Sequence, residues 1–403
     1  MSSPSQNLKD AQSLQKELVQ IRRHLHSQPE LGFHEHETAR FVAGKLDSLG
    51  LKVQSGIGKT GVVADLGQGQ GPTIAIRADM DGLPIEEAIH NKYQSKNPGV
   101  MHACGHDAHM SCAIGAASLL TGDFDQQEKQ YGARIRMIMQ PSEEFADDEG
   151  YSGAYRMIED DVLNGVSAII GLHMDASIPA GKIGIAPGPV MASAQHFTIQ
   201  IHGVGGHGAF PENTIDPVVI GSQIVQAIQQ IISRRISALE PAIITIGSFH
   251  SSSTRGNVIS EGVTLRGTLR SFNETVHEKL QEELERACSI AEVMGGRHEI
   301  SYVHAYPPTV NDVAVTAIVR KAAVDTIGED NIIHVTPKCW SEDFSMYQKI
   351  VPGCFFFLGA ERHNDPRTHH TANFDIDESS LYIGSAVLSE AAKRLIPFLS
   401  QRS

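Results

Sequence analysis

Leu14, Leu18, Ile21 and Leu25 recur at the spacing of one helical face, so the chain is predicted to open with an amphipathic helix, closed by Pro29 and Gly32. A second helix is predicted from about Glu37 to Leu49, with Gly50 as its stop. The short apolar runs "GVVADL", "TIAIRAD", "RIRMIMQ" and "SAIIGLH" read as strands. Between the second and third of these, Met110 to Leu120 is small and apolar and reads as a buried helix. Strands alternating with helices predict an α/β fold whose sheet is mixed and largely parallel. In such sheets the chemistry sits on loops at the carboxyl ends of the strands. Three polar motifs fall at such predicted ends: "AIRADMDG" at Asp79, "MIMQPSEE" at Gln140 and "IIGLHMD" at His173.

From about Ala192 the pattern changes. "HFTIQIHG" alternates like a half-exposed strand, and a helix follows from Asp216 to about Ile236. Two strands, "PAIITIGSF" and "GVTLRGTLRSF", precede a helix from about Glu274 to Met294 and a last strand, "RHEISYVHA". That order is the one of a ferredoxin-like α/β sandwich. The predicted organisation is a discontinuous domain, residues 1–191 and 305–403, with a second domain, residues 192–304, inserted into it.

Composition narrows the functions available. The 403-residue chain is long enough for two or three domains. It carries 33 basic and 47 acidic side chains, a net charge of −14. That balance argues against general affinity for nucleic acid or an anionic membrane surface, either of which needs a basic face. No run approaches the ~18–20 apolar residues of a membrane span, and the first residues show no apolar signal core. The expectation is a soluble, cytoplasmic protein. The five cysteines, at 104, 112, 288, 339 and 354, are too scattered for a disulfide framework.

Candidate chemistry concentrates in "VMHACGHDAHM", which places three histidines, a cysteine and an aspartate within eight residues. Cys104 and His106 are separated by one glycine, small enough to let both side chains turn to one point. Glu143 and Glu144 are adjacent in "QPSEE", where one carboxylate can bind a metal while the other stays free as a base. His173 follows an apolar run, and His370 sits in "THHTANFD". Cysteine, histidine, glutamate and two further histidines exceed the needs of one tetrahedral zinc and suit two metals sharing a water.

Together with "RRHLHSQPELGFHEHETA", "RADMDGLPI", "GLHMD", "GGHGAFP" and "SEDFSMY", these motifs resemble the aminoacylase and carboxypeptidase-like metallopeptidases of the M20 family over nearly the whole chain. The resemblance extends to its N-acyl-amino-acid amidohydrolases, the hippurate and auxin-conjugate hydrolases. It implies two divalent ions per subunit, zinc or manganese, with cobalt or nickel also compatible. It implies that Cys104, His106, Glu144, His173 and His370 are metal ligands and that Glu143 is the general base. Asp79 and Asp81 would orient ligands. His207 would reach the active site of a neighbouring subunit and hold the oxyanion. Asn257 and Arg270 would grip the amino-acid half of a small N-acyl amino acid. The insert would be a lid and dimer interface, giving a homodimer or higher homo-oligomer. The spacing to Phe374 and Asp375 favours His370 over His369. His24, His26, His102 and His109 read as hydrogen-bonding or structural.

Three stretches depart from the family pattern: the acidic "FADDEGYSGA", Trp340 in "CWSEDF", and "HHTAN", which lacks a following proline. Other readings remain at this point. The chain could be a metallo-carboxypeptidase or dipeptidase, a cysteine amidohydrolase with Cys104 as nucleophile, or a metal-dependent binding protein without turnover.

Overall fold

The strand Thr73–Asp79 is buried at every position, which is why its sequence is a near-continuous apolar run rather than an alternation. The structure, a computed structural model, describes residues 6–122, 124–303 and 306–401. Thr73–Asp79 sits in a sheet of eight strands. Their spatial order is Lys52–Ile57, Gly61–Leu66, Arg134–Gln140, Thr73–Asp79, Val166–Pro179, Gly353–Glu361, Ile183–Gly184 and Ile332–Ile333. Thr73–Asp79 runs parallel to both neighbours, and Gly353–Glu361 runs parallel to Val166–Pro179. Gly61–Leu66 is antiparallel to both of its neighbours. The sheet is therefore mixed, with a parallel centre.

The sheet belongs to one of two compact units. This unit comprises the described residues of Met1–Val190, Val310–Thr336 and Asp343–Ser403. Its core joins Leu18, Ile21 and Leu25 of the helix Gln6–His26, Ala113 and Ala117 of His106–Thr121, and Val387, Leu388 and Leu395 of Leu381–Ser400 to the strand side chains. Each fully buried leucine or isoleucine contributes roughly 1.5–3 kcal/mol of transfer free energy. Pro397 lies inside the last helix and has no N–H for the carbonyl of Lys393. Gln127, on the helix Phe124–Tyr131, donates to that carbonyl at 3.1 Å instead.

The second unit comprises the described residues of Met191–Thr309 together with Pro337–Glu342. Its sheet is antiparallel, in the order Ala242–Ser251, Gly262–Ser271, Gln195–His202 and Arg297–Tyr302. The helix Pro217–Arg234 follows the first of these strands in sequence, and Glu274–Cys288 precedes the last. Gln195–His202 buries alternate residues. Its Phe197, Ile199 and Ile201 pack with Ile220, Ile224, Ile228, Leu280 and Leu284. Asp216 and Asn273 begin the two helices by accepting from the backbone of Val218 and Thr275, the usual use of such residues at a helix start. The expected insert boundary at His304 and Ala305 lies outside the described residues.

Three elements differ from the sequence reading. The helix expected from Met110 starts at His106, because Gly105 at φ +97° turns the chain into it. The strand expected to end at His173 runs to Pro179. Gly353–Glu361 pairs beside it beyond that point, with Phe357 opposite His173 and Glu361 opposite Pro179. His173 is therefore a mid-strand residue. The helix expected from Glu274 to Met294 stops at Cys288, and a separate turn of helix follows at Ile290–Val293. No helix among the described residues is long and apolar enough to cross a membrane.

Candidate active site

Asp79 and Gln140 end two adjacent parallel strands, so the loops that follow them leave from one edge of the sheet. "RADMDG" carries Asp81 from the first loop, and "QPSEE" carries Glu143 and Glu144 from the second. Gly105 presents Cys104 on one side and His106, the first residue of its helix, on the other. His370 adopts a left-handed backbone at φ 58° and is tied to this turn by its N–H, which donates to the carbonyl of Ala103 at 2.9 Å. Such backbone strain in a non-glycine residue is characteristic of functional sites.

These elements bring the predicted residues together. The donor atoms of Cys104, His106 and His173 lie within 4.8 Å of one another, as do those of Cys104, Glu144 and His370, and those of His106, Glu143 and Glu144. The Cys104 Sγ lies 3.4 Å from the Nε2 of both His173 and His370. His370 Nε2 lies 2.9 Å from a Glu144 oxygen. The neighbouring His369 instead accepts from the Ala176 backbone through Nε2, at 3.2 Å, and packs on Phe374.

A surrounding layer of hydrogen bonds aims these groups. His106 Nδ1 faces the carbonyl and the carboxylate of Asp81, at 2.9 and 3.1 Å. Its Nε2 is left buried without a hydrogen-bond partner. The other Asp81 oxygen accepts from the backbone N–H of Glu144 at 3.0 Å. One aspartate therefore orients two of the predicted ligands. Asp79 binds His109 Nδ1 at 2.6 Å, and His109 Nε2 accepts from the N–H of Met174 at 2.8 Å. The carbonyl of Met174 in turn accepts from His173 Nδ1 at 2.7 Å, which leaves the Nε2 of His173 as a lone-pair donor toward Cys104.

Arg77 is buried in the strand and bonds Asp79 at 2.6 Å, Gln140 at 2.8 Å and Asp343 at 2.9 Å. His109, Arg77 and Asp343 were not singled out as orienting groups from sequence. A charged residue inside the apolar run "TIAIRAD" was the available signal, because a buried guanidinium needs acidic partners. Of the remaining histidines, His26 bonds Asp107 at 2.7 Å and His24 stacks on Phe41. His102 is buried with no hydrogen-bond partner for either ring nitrogen, which leaves the structural alternative of the two expected for it. The acidic stretch after Glu144 is partly neutralised, since Asp147 and Glu149 both pair with Arg156.

The electrostatics suit a cation. Burial, then the carboxylates of Glu144, Glu143 and Asp79, push the Cys104 thiol well above its ordinary range. Burial works against charge on His106, but Asp79 and Asp81 override it and raise the ring to about 10. Burial also opposes the charge of Asp79, yet His106, His109 and Arg77 hold it well below the usual carboxylate range. Burial, then His109 and His369, hold His173 well below its usual value, so it is neutral and ready to ligate. A thiol raised in this way is a poor nucleophile on its own, whereas a bound cation would deprotonate it. The orphaned His106 Nε2 and the mixed sulfur, nitrogen and carboxylate donors fit a borderline divalent ion.

The other predicted residues lie on the second unit. His207, on the exposed two-residue strand Gly206–His207, pairs with Val258, and its Nδ1 accepts from the N–H of Ala209 at 3.0 Å. Asn257 is adjacent and exposed, and its carbonyl accepts from Gly208 at 2.9 Å. Arg270 donates to the carbonyl of Cys339 at 2.8 Å. Beside it, Lys338 lies over the ring of Trp340 at 4.4 Å.

Comparison with known proteins gives this geometry a context. The model of Peptidase family M20/M25/M40 matches residues 75–394. The putative amidohydrolase YhaA of Bacillus subtilis (strain 168) is 41% identical over 94% of this chain and 94% of its own. The N-acetyl-L-cysteine deacetylase of the same strain is 39% identical over 95% of this chain and 89% of its own. The solved structure of the Bacillus subtilis YXEP protein, described as a dinuclear metal binding peptidase from the M20 family, has a TM-score of 0.82 at 33% identity. It covers 96% of this chain, which covers 99% of it. The chain belongs to peptidase family M20/M25/M40 and is a metal-binding hydrolase of amide bonds.

Proposed function

We propose that this chain hydrolyses N-acyl amino acids, releasing a carboxylic acid and a free amino acid. The observation that carries the reading is one cluster, buried at Cys104, His106, Glu143 and His173 and open at His370, in which these residues and Glu144 converge. The name of the N-acetyl-L-cysteine deacetylase, 39% identical, supports the substrate class. Cys104, His106, Glu144, His173 and His370 would hold two divalent ions, zinc or manganese, with cobalt and nickel also compatible. The overlap of two donor triads at Cys104 supports a pair rather than a single ion. Bound there, divalent ions would supply Lewis acidity to the amide carbonyl and make water a stronger acid.

Glu143 would take the proton from the attacking water and return it to the leaving amine. Asp81 would keep His106 and Glu144 aimed, and Asp79 would do the same for His173 through His109. His207, supplied by a second copy of the chain, would donate to the oxyanion that develops at the carbonyl. Asn257 and Arg270 would hold the substrate carboxylate, for which the planar guanidinium fork is suited. Residues 1–191 and 305–403 would form the catalytic domain. Residues 192–304 would form a ferredoxin-like lid and dimerisation domain.

The test is a turnover panel of acetyl-, benzoyl- and indole-acetyl-amino acids, run beside simple dipeptides, before and after chelation. Release of the free amino acid from acyl substrates, lost on chelation and regained with an added divalent ion, is the expected result. Cleavage of dipeptides alone, or turnover that survives complete removal of metal, would overturn it.

A further inference from the structure

The N-terminal motif "PELGFHE" lies before residue 75, where the family match begins, and contributes none of the residues proposed as ligand or base. It nevertheless underlies both acidic loops of the site. The carbonyl of Glu30 accepts from the N–H of Gly82, one residue after Asp81, at 2.7 Å. Gly32 packs so closely on the "QPSEE" turn that a Cβ there would stand 2.2 Å from the Ser142 Oγ and 3.0 Å from its Cβ. Glu35, fully buried, accepts from the Ser142 N–H at 2.8 Å and from the Thr60 hydroxyl.

Ser142 immediately precedes Glu143 and has a left-handed backbone at φ 43°. A serine in that region is strained and persists only when its surroundings fix it. Three bonds do so: the one to Glu35, the donation of the Gly153 N–H to the Ser142 carbonyl at 2.9 Å, and the donation of the Ser142 Oγ to the Phe145 carbonyl at 2.9 Å. Only the Glu35 bond comes from outside the segment that bears the acidic pair and the helix after it.

We propose that Glu35 is a positioning residue for Glu143, fixing the direction of the base through the backbone of Ser142. The inference rests on the reading of Glu143 as the general base. No cation is among the hydrogen-bond partners of Glu35 in the described residues. Burial, then the nearby Asp81, raise it to about 7. With no cationic partner, what Glu35 offers the Ser142 N–H is a hydrogen-bond acceptor rather than half of an ion pair. Glutamine in its place keeps such an acceptor, and leucine does not.

The test is a double-mutant cycle on zinc-loaded full-length enzyme with N-acetyl-L-methionine as substrate. Glu35→Leu is expected to lower kcat on the order of 10–100-fold, the scale of a misplaced catalytic group, with KM and bound zinc near wild type. Glu35→Gln should restore kcat to within about threefold. In the Glu143→Gln background, Glu35→Leu should cost nothing further, because its effect passes through the missing base. A folded, zinc-loaded Glu35→Leu enzyme with kcat within about threefold of wild type would overturn the proposal. So would an undiminished Glu35 effect in the Glu143→Gln background, or a loss that follows zinc content.

Near-normal turnover of Glu143→Gln alone would remove the base assignment and this inference with it. Failure of the Glu35 variants alone leaves the base standing. Should Glu35→Leu not fold, Gly32→Ala approaches the same turn from its other side. Its kcat should fall and be recovered by Ser142→Gly, which relieves both the contact and the strained φ. A folded Gly32→Ala enzyme with unchanged kcat would overturn the proposal.

Discussion

The cluster around Cys104 and the pair His207–Asn257 are built on opposite principles. In the first, every donor but the exposed His370 is buried or partly buried, and three are aimed by a second group: Asp81 behind His106 and Glu144, and His109 with the Met174 peptide behind His173. In the second, His207 and Asn257 stand exposed on a short two-stranded ribbon. Among the described residues, the one hydrogen bond of the His207 ring is accepted from the Ala209 backbone two residues on. Cys104, His106, Glu143 and His173 are buried, so charge on them interacts strongly and their geometry must be fixed in advance. Among the described residues, the exposed pair has no such frame within its own unit. In the function proposed above, His207 would act on the site of a second copy of the chain.

The contrast can be broken at either end. The largest effect is expected from His106→Ala, which removes a proposed ligand whose Nε2 has no hydrogen-bond partner. Turnover should vanish and the metal content found by elemental analysis should fall with it; full activity with full metal would remove His106 from the site. His207→Ala should instead lose nearly all turnover while keeping its metal. If His207 serves a neighbour, a purified mixed dimer of His207→Ala with Glu143→Gln has one site with both groups intact. It should regain up to about half of wild-type activity by that count. Activity near zero in confirmed mixed dimers would place His207 in its own subunit.

Acidity gives a graded test of the buried side. If Cys104 and His106 are ligands as proposed, metal binding at neutral pH would displace protons from the raised Cys104 thiol and from His106, held at about 10. Metal affinity should therefore rise with pH from about 6 to 9, with proton release measurable by calorimetry in buffers of different ionisation enthalpy. In the metal-free protein the sign reverses for His106. Its folded value lies above the ordinary 6.5, so its stabilising contribution is complete below 6.5 and is lost as pH rises toward about 10. A pH-independent metal affinity would contradict the assignment of these two ligands. The smallest effect belongs to Asp216→Ala on the second unit, which removes a helix cap. About 1 kcal/mol of stability should be lost, visible in thermal unfolding, with the bound metal unchanged.

What was legible in the sequence follows the range of the forces involved. Thr73–Asp79 and Arg134–Gln140 were readable because burial leaves an apolar run whatever the neighbours are. The true end of the His173 strand was not, because it depends on pairing with Gly353–Glu361, remote in sequence. The start of the helix at His106 follows from the backbone angle of Gly105, which composition does not report. Within the site, the clustering of Cys104 and His106 was visible in one short motif. The supports Arg77, His109 and Asp343 meet only in three dimensions. Glu35 was hidden for the same reason: its partner Ser142 lies in a different loop.

The most direct measurement is the turnover of Glu143→Gln, with bound metal determined in the same sample. Glutamine keeps the shape of the side chain and cannot accept the proton. Loss of kcat by on the order of 10²–10⁴, with metal content nearly intact, is the expected result for a general base beside a preserved metal cluster. Near-normal kcat with metal in place would contradict it.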